Sequence, residues 1–174
     1  MTSVTESHLS AVLRYQLFSV TKKQPMGDYF DLHASHAAKE GYQAIVICSE
    51  DTDVFIMSLA FHDKIEASLF LKCGTKTRRR IVDIGKVAAS VGAGVCRALI
   101  GLHAYTGCDT VSAFAGKGKV KALKLLTSSK VHQDAFSRLH GRITEELTDK
   151  LEAFACLFYV FKTATTAIND LRYW

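Results

Sequence analysis

The chain has 174 residues, of which 48% are hydrophobic and 22% are charged. This length suffices for one compact domain with a buried core, and the apolar fraction excludes an intrinsically disordered chain. The most apolar stretch, residues 44–61, contains three carboxylates, so the sequence predicts no transmembrane helix and no membrane partner. The first ten residues have neither a basic start nor an apolar run, so we expect no secretory signal.

The charges are distributed unevenly along the chain. Lysine and arginine exceed aspartate and glutamate by 22 to 17, a net charge of +5, which permits an anionic partner without requiring one. Positive charges concentrate in residues 72–80 and 117–124, whereas three carboxylates fall within residues 50–53. The five cysteines form no CxxC pair, which indicates reduced thiols in an intracellular protein. The short arginine run at residues 78–80 slightly favours the nucleus.

The first half of the chain predicts alternating helix and strand. Residues 1–25 form a poorly defined lead-in, with a weak helical pattern over residues 9–18 and no complete first strand. Residues 28–41 have a helical period that ends on a glycine. The apolar run at residues 43–48 is typical of a buried parallel strand, and a polar turn at residues 49–53 follows it.

The second half of the chain predicts further strands and then helices. Two short strands are expected at residues 67–73 and 81–84, and one or two closely packed helices over residues 85–105. A helix is expected in residues 120–126, and a final long helix over residues 145–167. This order of elements predicts an α/β sandwich with a mostly parallel central sheet, in a single domain.

Two carboxylates in the polar turn are candidate metal ligands. Asp51 and Asp53 stand two residues apart directly after a predicted parallel strand, where open α/β sheets place their ligand sites. Carboxylates held close together repel each other unless a cation joins them, and such oxygen ligands favour Mg²⁺ or Mn²⁺. The alternative is an ordinary turn in which Glu50 and Asp51 cap the next helix.

A second candidate segment spans residues 101–126. Asp109 lies there in a glycine-bounded turn, and a helix begins after the sequence AGKGK. The closely spaced Gly116 and Gly118 let the backbone approach an anion, and the neighbouring lysines supply positive charge. The segment lacks the Walker A pattern. Its alternative interpretation is an ordinary loop followed by an exposed, lysine-rich helix face.

Both candidate segments resemble the PIN-like nucleases of the flap-endonuclease (structure-specific 5′ nuclease) group. The matching phrases are AAKEGYQAIVICSEDTD at residues 37–53 and GCDTVSAFAGKGKVKALKLL at residues 107–126. The chain is more closely similar to a group of mostly uncharacterised, often transposon-associated animal proteins with a PIN-like domain. That similarity adds the phrases HASHAAKEG and INDLRYW and extends from about residue 28 to residue 174.

The resemblance implies both a fold and an activity. The implied fold is a PIN-like three-layer sandwich over residues 26–174, with a helical C-terminal part that contains a helix-turn-helix-like segment. The implied activity is metal-dependent cleavage of DNA, in which Asp51, Asp53 and Asp109 are catalytic and hold two Mg²⁺ or Mn²⁺ ions. The residues expected to contact the nucleic-acid backbone are Gly116, Lys117, Gly118, Lys119, Lys121, Lys124, Arg78, Arg79 and Arg80.

One stretch departs from the pattern of this family. Its members carry an acidic cluster before the first helix, whereas this chain has Gln24, Pro25 and Gly27 there. Asp28 and Asp31 lie three residues apart, would share a helix face, and are the candidate substitute metal ligands. The alternatives are a degraded metal site, a chain truncated at its N-terminus, and a catalytically inactive nucleic-acid-binding or assembly module of transposon origin. The sequence leaves the protein partners of the chain undetermined.

Overall fold

The computed structural model describes residues 33–75, 77–107, 114, 116–160 and 163–171, together with the backbone of residues 15–19. These residues form four strands and eight α-helices. The chain divides into two compact units, Met1–Gly92 and Ala93–Trp174. The predicted single domain over residues 26–174 stays a prediction.

A small mixed sheet forms the centre of the first unit. Its strands lie in the order β1 (Tyr15–Ser19), β2 (Ala44–Cys48), β3 (Ser68–Cys73) and β4 (Arg80–Asp83). The pairs β1–β2 and β2–β3 are parallel, and β4 runs antiparallel to β3. The predicted α/β class is therefore confirmed.

Three helices of the first unit are described. They are α1 (Ser35–Lys39), α2 (Thr52–Phe61) and α3 (Ile84–Val91), and a 3-10 turn at His62–Lys64 follows α2. Helix α1 ends before Gly41, which has a φ of 85° and stops the helix as predicted. Helix α2 lies between β2 and β3, which supplies the crossover that a parallel strand pair requires.

Strand β2 is buried on both of its faces, as the sequence predicted. Ala44 and Val46 pack with Phe70 and Ile81 in one apolar cluster. The alternate β2 residues, Ile45 and Ile47, have no accessible surface either. A strand covered on both sides needs a continuous apolar run rather than an alternating pattern, and this strand has one.

Strand β1 corrects the sequence interpretation of the lead-in. The sequence favours a weak helix over residues 9–18 and shows no first strand, yet residues 15–19 form a strand beside β2, with Leu17 opposite Val46. By pairing with the edge of β2, residues 15–19 gain hydrogen-bond partners for their backbone groups. The weak periodicity of this short segment does not reveal such a partner in the sequence.

The second unit is helical in its described part. Its helices are α4 (Ala93–Thr106), α5 (Lys119–Ser128), α6 (Lys130–Ser137), α7 (Glu145–Tyr159) and α8 (Ile168–Leu171). The sequence analysis does not predict helix α6, because few of its residues are apolar. In the structure, Ala135 and Phe136 are the buried residues of this helix. Ser129 ends α5 and also caps α6, so the two helices meet at one residue.

Helix α7 is shorter than the sequence predicted. The pattern favours a helix over residues 145–167, but the helix ends at Tyr159, and Val160 has extended backbone angles. The N–H of Val160 still donates to the main-chain oxygen of Cys156, at 2.8 Å, which closes the last turn. Apolar and alanine-rich sequence after a helix does not by itself prolong it, because tertiary packing decides where it ends.

Aromatic rings fill the core of the second unit. The rings of Phe136 and Phe154 meet edge to face with centroids 4.7 Å apart, and the ring of Tyr105 lies 5.4 Å from that of Phe136. The Tyr105 hydroxyl donates a hydrogen bond to the main-chain oxygen of Leu151, at 3.1 Å. Burial raises the pKa of Tyr105 above its ordinary value.

In the part of the chain described above, no single helix is long and apolar enough to cross a membrane, and only α3 and α4 counted together meet those criteria.

We expect Gly101→Ala to lower the free energy of unfolding by about 1–3 kcal/mol, because a Cβ at Gly101 would overlap the main-chain oxygen of Phe136 on α6. Gly94→Ala is the matched control on the same helix, since its Cβ would meet only the end of the flexible Gln133 side chain. Urea denaturation measures both variants. Equal stability of the two variants would contradict the close approach of α4 and α6.

Candidate functional site

Asp51 and Asp53 lie directly after β2, at the carboxyl end of that strand. Asp51 is the N-cap of α2, and its Oδ1 accepts a hydrogen bond from the N–H of Asp53, at 3.0 Å. Ser49 Oγ in turn accepts from the N–H of Asp51, at 3.1 Å. The capping role is therefore confirmed for Asp51. The cap uses Oδ1 of the Asp51 carboxylate. A carboxylate has a second oxygen, with which it can bind a cation.

The other predicted metal ligands, Asp28, Asp31 and Asp109, lie outside the described residues. Within the described ranges, no group of three or more histidine, cysteine, aspartate and glutamate side chains is arranged to hold a metal ion. The two-ion site stays a prediction, and Asp51 and Asp53 are its described members.

Two cavities open at the carboxyl end of β2 and β3. The larger one, which we call the edge cavity, has a volume of about 390 Å³, and the smaller one, the cap cavity, about 150 Å³. The edge cavity is lined by residues that include Cys48, Glu50, Lys72, Cys73 and Arg79. The cap cavity is lined by residues that include Glu50, Asp51, Phe55, Cys73 and Arg80. Both cavities therefore adjoin the turn that carries the predicted metal ligands.

Strand register explains which side chains line which cavity. Cys48 lies opposite Lys72 across β2 and β3, so both side chains project from the same face and line the edge cavity. Cys73 lies opposite Arg80 across β3 and β4 and projects from the other face, toward the cap cavity. Cys73 borders both cavities because it is the last residue of its strand.

Glu50 forms a hydrogen bond with the loop that joins β3 to β4. Its Oε1 accepts a hydrogen bond from the N–H of Gly74. Gly74 has a φ of 105°, and a Cβ at this position would overlap the main-chain oxygen of Arg78, so only glycine fits the turn. The suggested capping of α2 by Glu50 is therefore wrong, since its described hydrogen bond joins a different loop.

The three predicted phosphate-binding arginines occupy different environments. Arg80 Nε donates a hydrogen bond to Cys73 Sγ, at 3.2 Å, and this bond raises the pKa of the guanidinium above its ordinary value. Arg79 is exposed and lines the edge cavity. Arg78 is exposed, and its main-chain oxygen lies where a Cβ on residue 74 would be. Arg79 is the member of the run that a ligand in the edge cavity would meet.

Two of the predicted DNA-binding lysines contact the carboxyl end of α7. Lys121 Nζ donates to the main-chain oxygen of Phe158, at 2.7 Å, and Lys117 Nζ donates to that of Tyr159, at 3.2 Å. Positive charge at this end of a helix is favourable because the last carbonyl groups carry partial negative charge. These two ammonium groups therefore have a structural role within the second unit.

Lys119 and Lys124 lie on α5 in different surroundings. Lys119 Nζ donates to the main-chain oxygen of Gly107 and lies 2.9 Å from His103 Nδ1. Lys124 is exposed, one turn along the helix. Lys124 is therefore the lysine of this segment whose position best fits contact with an external anion.

Two glycines precede the first turn of α5. Gly116 has a φ of 66°, and Gly118 is the N-cap of α5 without a side-chain hydrogen bond. Among the atoms of the described residues, a Cβ at either position would meet none within 4 Å. Anion binding at this helix end stays a prediction, because Asp109 and most of the preceding loop lie outside the described residues.

The sequence interpretation missed how Lys72, Cys73 and Glu50 are placed together. Lys72 was visible as part of a basic segment, and Glu50 as part of the acidic turn. Their common cavity depends on strand register, which residue spacing along the chain does not encode. Four cysteines lie in the described part of the chain and are not joined in disulfide bonds: Cys48, Cys73, Cys96 and Cys156.

No family model, curated protein or solved structure matches this chain. The resemblance to PIN-like nucleases therefore stays a prediction.

We expect Asp51→Ala to lower the free energy of unfolding by about 1 kcal/mol, because the cap of α2 is lost. Asp51→Asn keeps a capping oxygen and should change the stability by less than about 0.5 kcal/mol. Thermal or urea unfolding monitored by circular dichroism measures both. A destabilised Asn variant would show that the charge of Asp51, rather than its capping geometry, stabilises the fold.

Lys121→Met should cost about 1 kcal/mol, because the main-chain oxygen of Phe158 loses a charged donor at the end of α7. Lys124→Met makes the same change on the same helix at an exposed position and should stay within about 0.5 kcal/mol of the parent. Chemical denaturation compares the two variants. The structural role of Lys121 is refuted if both behave alike.

Proposed function

We propose that the chain is a PIN-like, flap-endonuclease-related nuclease that cleaves DNA phosphodiester bonds with the aid of divalent metal ions. The observation that carries this proposal is the position of Asp51 and Asp53, half-buried and directly after a strand that is buried on both faces. That is the end of a parallel strand at which α/β proteins bind their ligands. Positively charged side chains lie at the same edge of the sheet.

The donor set fits Mg²⁺ or Mn²⁺. Asp51 and Asp53 offer carboxylate oxygens, which these hard cations prefer over nitrogen or sulfur. The resemblance adds Asp109, with Asp28 or Asp31, to the ligand set. When bound, a pair of such ions supplies a water of lowered pKa and stabilises the leaving oxygen.

The chain itself would position the substrate through charge. The capping hydrogen bond between Asp51 and the N–H of Asp53 fixes the orientation of the Asp51 carboxylate relative to the end of β2. Arg79 and Lys124 are exposed and would neutralise phosphates of the DNA backbone. Contacts of this kind hold DNA without reading its bases, so we expect little sequence preference.

A catalytically inactive nucleic-acid-binding or assembly module of transposon origin is the second candidate. The presence of Gln24, Pro25 and Gly27 where the family carries acidic residues favours it. The two candidates make the same prediction for DNA binding and opposite predictions for cleavage.

The test is cleavage of flap, duplex and single-stranded DNA by the purified protein in Mn²⁺, with and without EDTA. Asp51→Asn and Asp53→Asn should each lower the rate by about 100-fold or more, because a charged metal ligand is lost. Asp63→Asn, at an exposed carboxylate in the 3-10 turn of the same unit, is the matched control and should cleave normally.

Each result separates the candidates. Cleavage that survives in both Asn variants, or in EDTA, would contradict the metal site. An inactive parent protein that still binds DNA in a salt-sensitive way would establish the binding module instead. Asp51→Asn keeps the helix cap, so loss of its activity is not explained by unfolding.

A further inference from the structure

We propose that the second unit binds a second copy of this chain head to tail, with the basic end of one copy against the acidic end of the next. The basic end consists of Val120, Leu123 and Lys124 on α5, Tyr159 and Val160 at the end of α7, and Lys117 and Lys121, which connect them. The acidic end consists of Ile143, Glu145 and Asp149 at the start of α7. Such an assembly is independent of the proposed nuclease activity.

Exposed apolar side chains are concentrated at these two ends. In the part of the chain that the structure describes, six large apolar residues are exposed, and all six lie in the second unit. Five of them belong to the basic and acidic ends, and the sixth is Val131 on α6. Val120 is 70% exposed and Ile143 is 63% exposed. Apolar surface bordered by charged side chains is typical of a contact site for another protein.

The outer face of α5 is apolar and basic. Val120, Leu123 and Lys124 are spaced three and four residues apart, so they share one face of the helix. The opposite face packs into the second unit through the buried residues Ala122, Leu125 and Leu126. Residues 116–128 contain four lysines and no aspartate or glutamate. This face therefore combines exposed apolar groups with a positive charge.

The amino end of α7 is apolar and acidic. Ile143 directly precedes the N-cap residue Thr144. An apolar residue at this position can pack on the fourth residue of the helix, but that residue is the polar Thr148. Glu145 and Asp149 are exposed and lie one helical turn apart, so they share a face next to Ile143.

The charges of the two ends are opposite in sign. At the acidic end, four neighbouring side chains form ion pairs with one another: Asp134, Arg138, Glu146 and Lys150. The carboxylates of Glu145 and Asp149 then outnumber the single cation of Arg142. At the basic end, Lys117 and Lys121 donate to main-chain oxygens of α7, which carry no formal charge. Complementary charge of this kind steers two surfaces together and disfavours contact between like ends.

The length of α7 keeps the two ends of one copy apart. This helix has 15 residues, which corresponds to a length of about 22 Å. Lys117 and Lys121 contact its last carbonyl groups, whereas Glu145 lies in its first turn. The separation exceeds the Debye length of about 8–10 Å at physiological salt. Complementary surfaces at opposite ends of one helix suit a heterologous contact between copies, which forms rings or open chains.

The apolar residues favour a protein over DNA as the partner of the basic end. The phosphate backbone of DNA would pair with Lys124 but would leave Val120 and Leu123 in contact with water. The acidic end offers both a carboxylate pair and the apolar side chain of Ile143. A second copy therefore matches the apolar as well as the charged groups of the basic end.

Sedimentation velocity measures the association of the purified chain, after nuclease treatment and in EDTA. The weight-average mass should rise as the protein concentration increases from about 10 to 300 µM, because a small contact area gives weak binding. The mass should fall again at high salt, since exposed charge pairs are screened. A chain that stays monomeric at low salt over this range would overturn the proposal.

Lys124→Glu and Asp149→Lys each place like charges across the contact and should weaken association by about 10-fold or more. Arg97→Glu makes the same charge change as Lys124→Glu at an exposed residue of α4 and should stay within about twofold of the parent. Circular dichroism verifies that each variant is folded. An equal loss in Lys124→Glu and Arg97→Glu would overturn the proposal.

An equimolar mixture of Lys124→Glu and Asp149→Lys should associate again, because each variant supplies the end that the other has lost. This recovery is specific to a contact between unlike ends. A mixture of the two folded variants that associates no better than either variant alone would overturn the proposal.

A second measurement uses the unmodified protein, so it does not depend on the folding of a variant. A carbodiimide joins a lysine to a carboxylate that it contacts, and a mixture of isotope-labelled and unlabelled chains marks the cross-links that form between copies. Mass spectrometry should find such cross-links between residues 117–124 and Glu145 or Asp149. Cross-links between copies that involve other carboxylates instead would overturn the proposal.

Adding a short DNA duplex in EDTA separates this assembly from DNA binding. A mass that rises only when DNA is present would assign the basic end to nucleic acid and overturn the proposal. Association without DNA by a protein that fails to cleave would count against the nuclease alone. Cleavage by a chain that stays monomeric would count against the assembly alone.

Discussion

The burial of β2 on both faces is the constraint on which the first unit depends. Every residue from Ala44 to Ile47 is buried, so neither face of the strand is available to a ligand. Polar side chains therefore lie beyond the end of the strand, where Glu50, Asp51 and Asp53 lead into α2. The same requirement that builds the core thus places the candidate site at the sheet edge.

At that edge, individual side chains serve structure and candidate function together. Asp51 caps α2 with one oxygen, and Glu50 holds the turn at Gly74. The turn at Gly74 leads into Arg79, which reaches the edge cavity. Local capping and loop closure therefore order the side chains at this edge, so loss of a hydrogen bond here is expected to lower the stability of the fold.

Two lysines of the second unit contribute to its stability. Lys117 and Lys121 neutralise the carbonyl end of α7, and this explains why a lysine-rich helix can pack against an aromatic core. Lys124 is oriented outward.

Local sequence patterns were enough to predict the α/β class, strands β2 to β4 and the position of Asp51 and Asp53, because a continuous apolar run and the polar turn after it are local features. It did not predict β1 or the end of α7, since edge pairing and helix packing override weak periodicity. Folding brings Lys72 and Arg79 to the same cavity as Glu50, and it places Lys121 against a carbonyl group of α7. Strand register and long-range contacts set those neighbours, and spacing along the chain does not encode them.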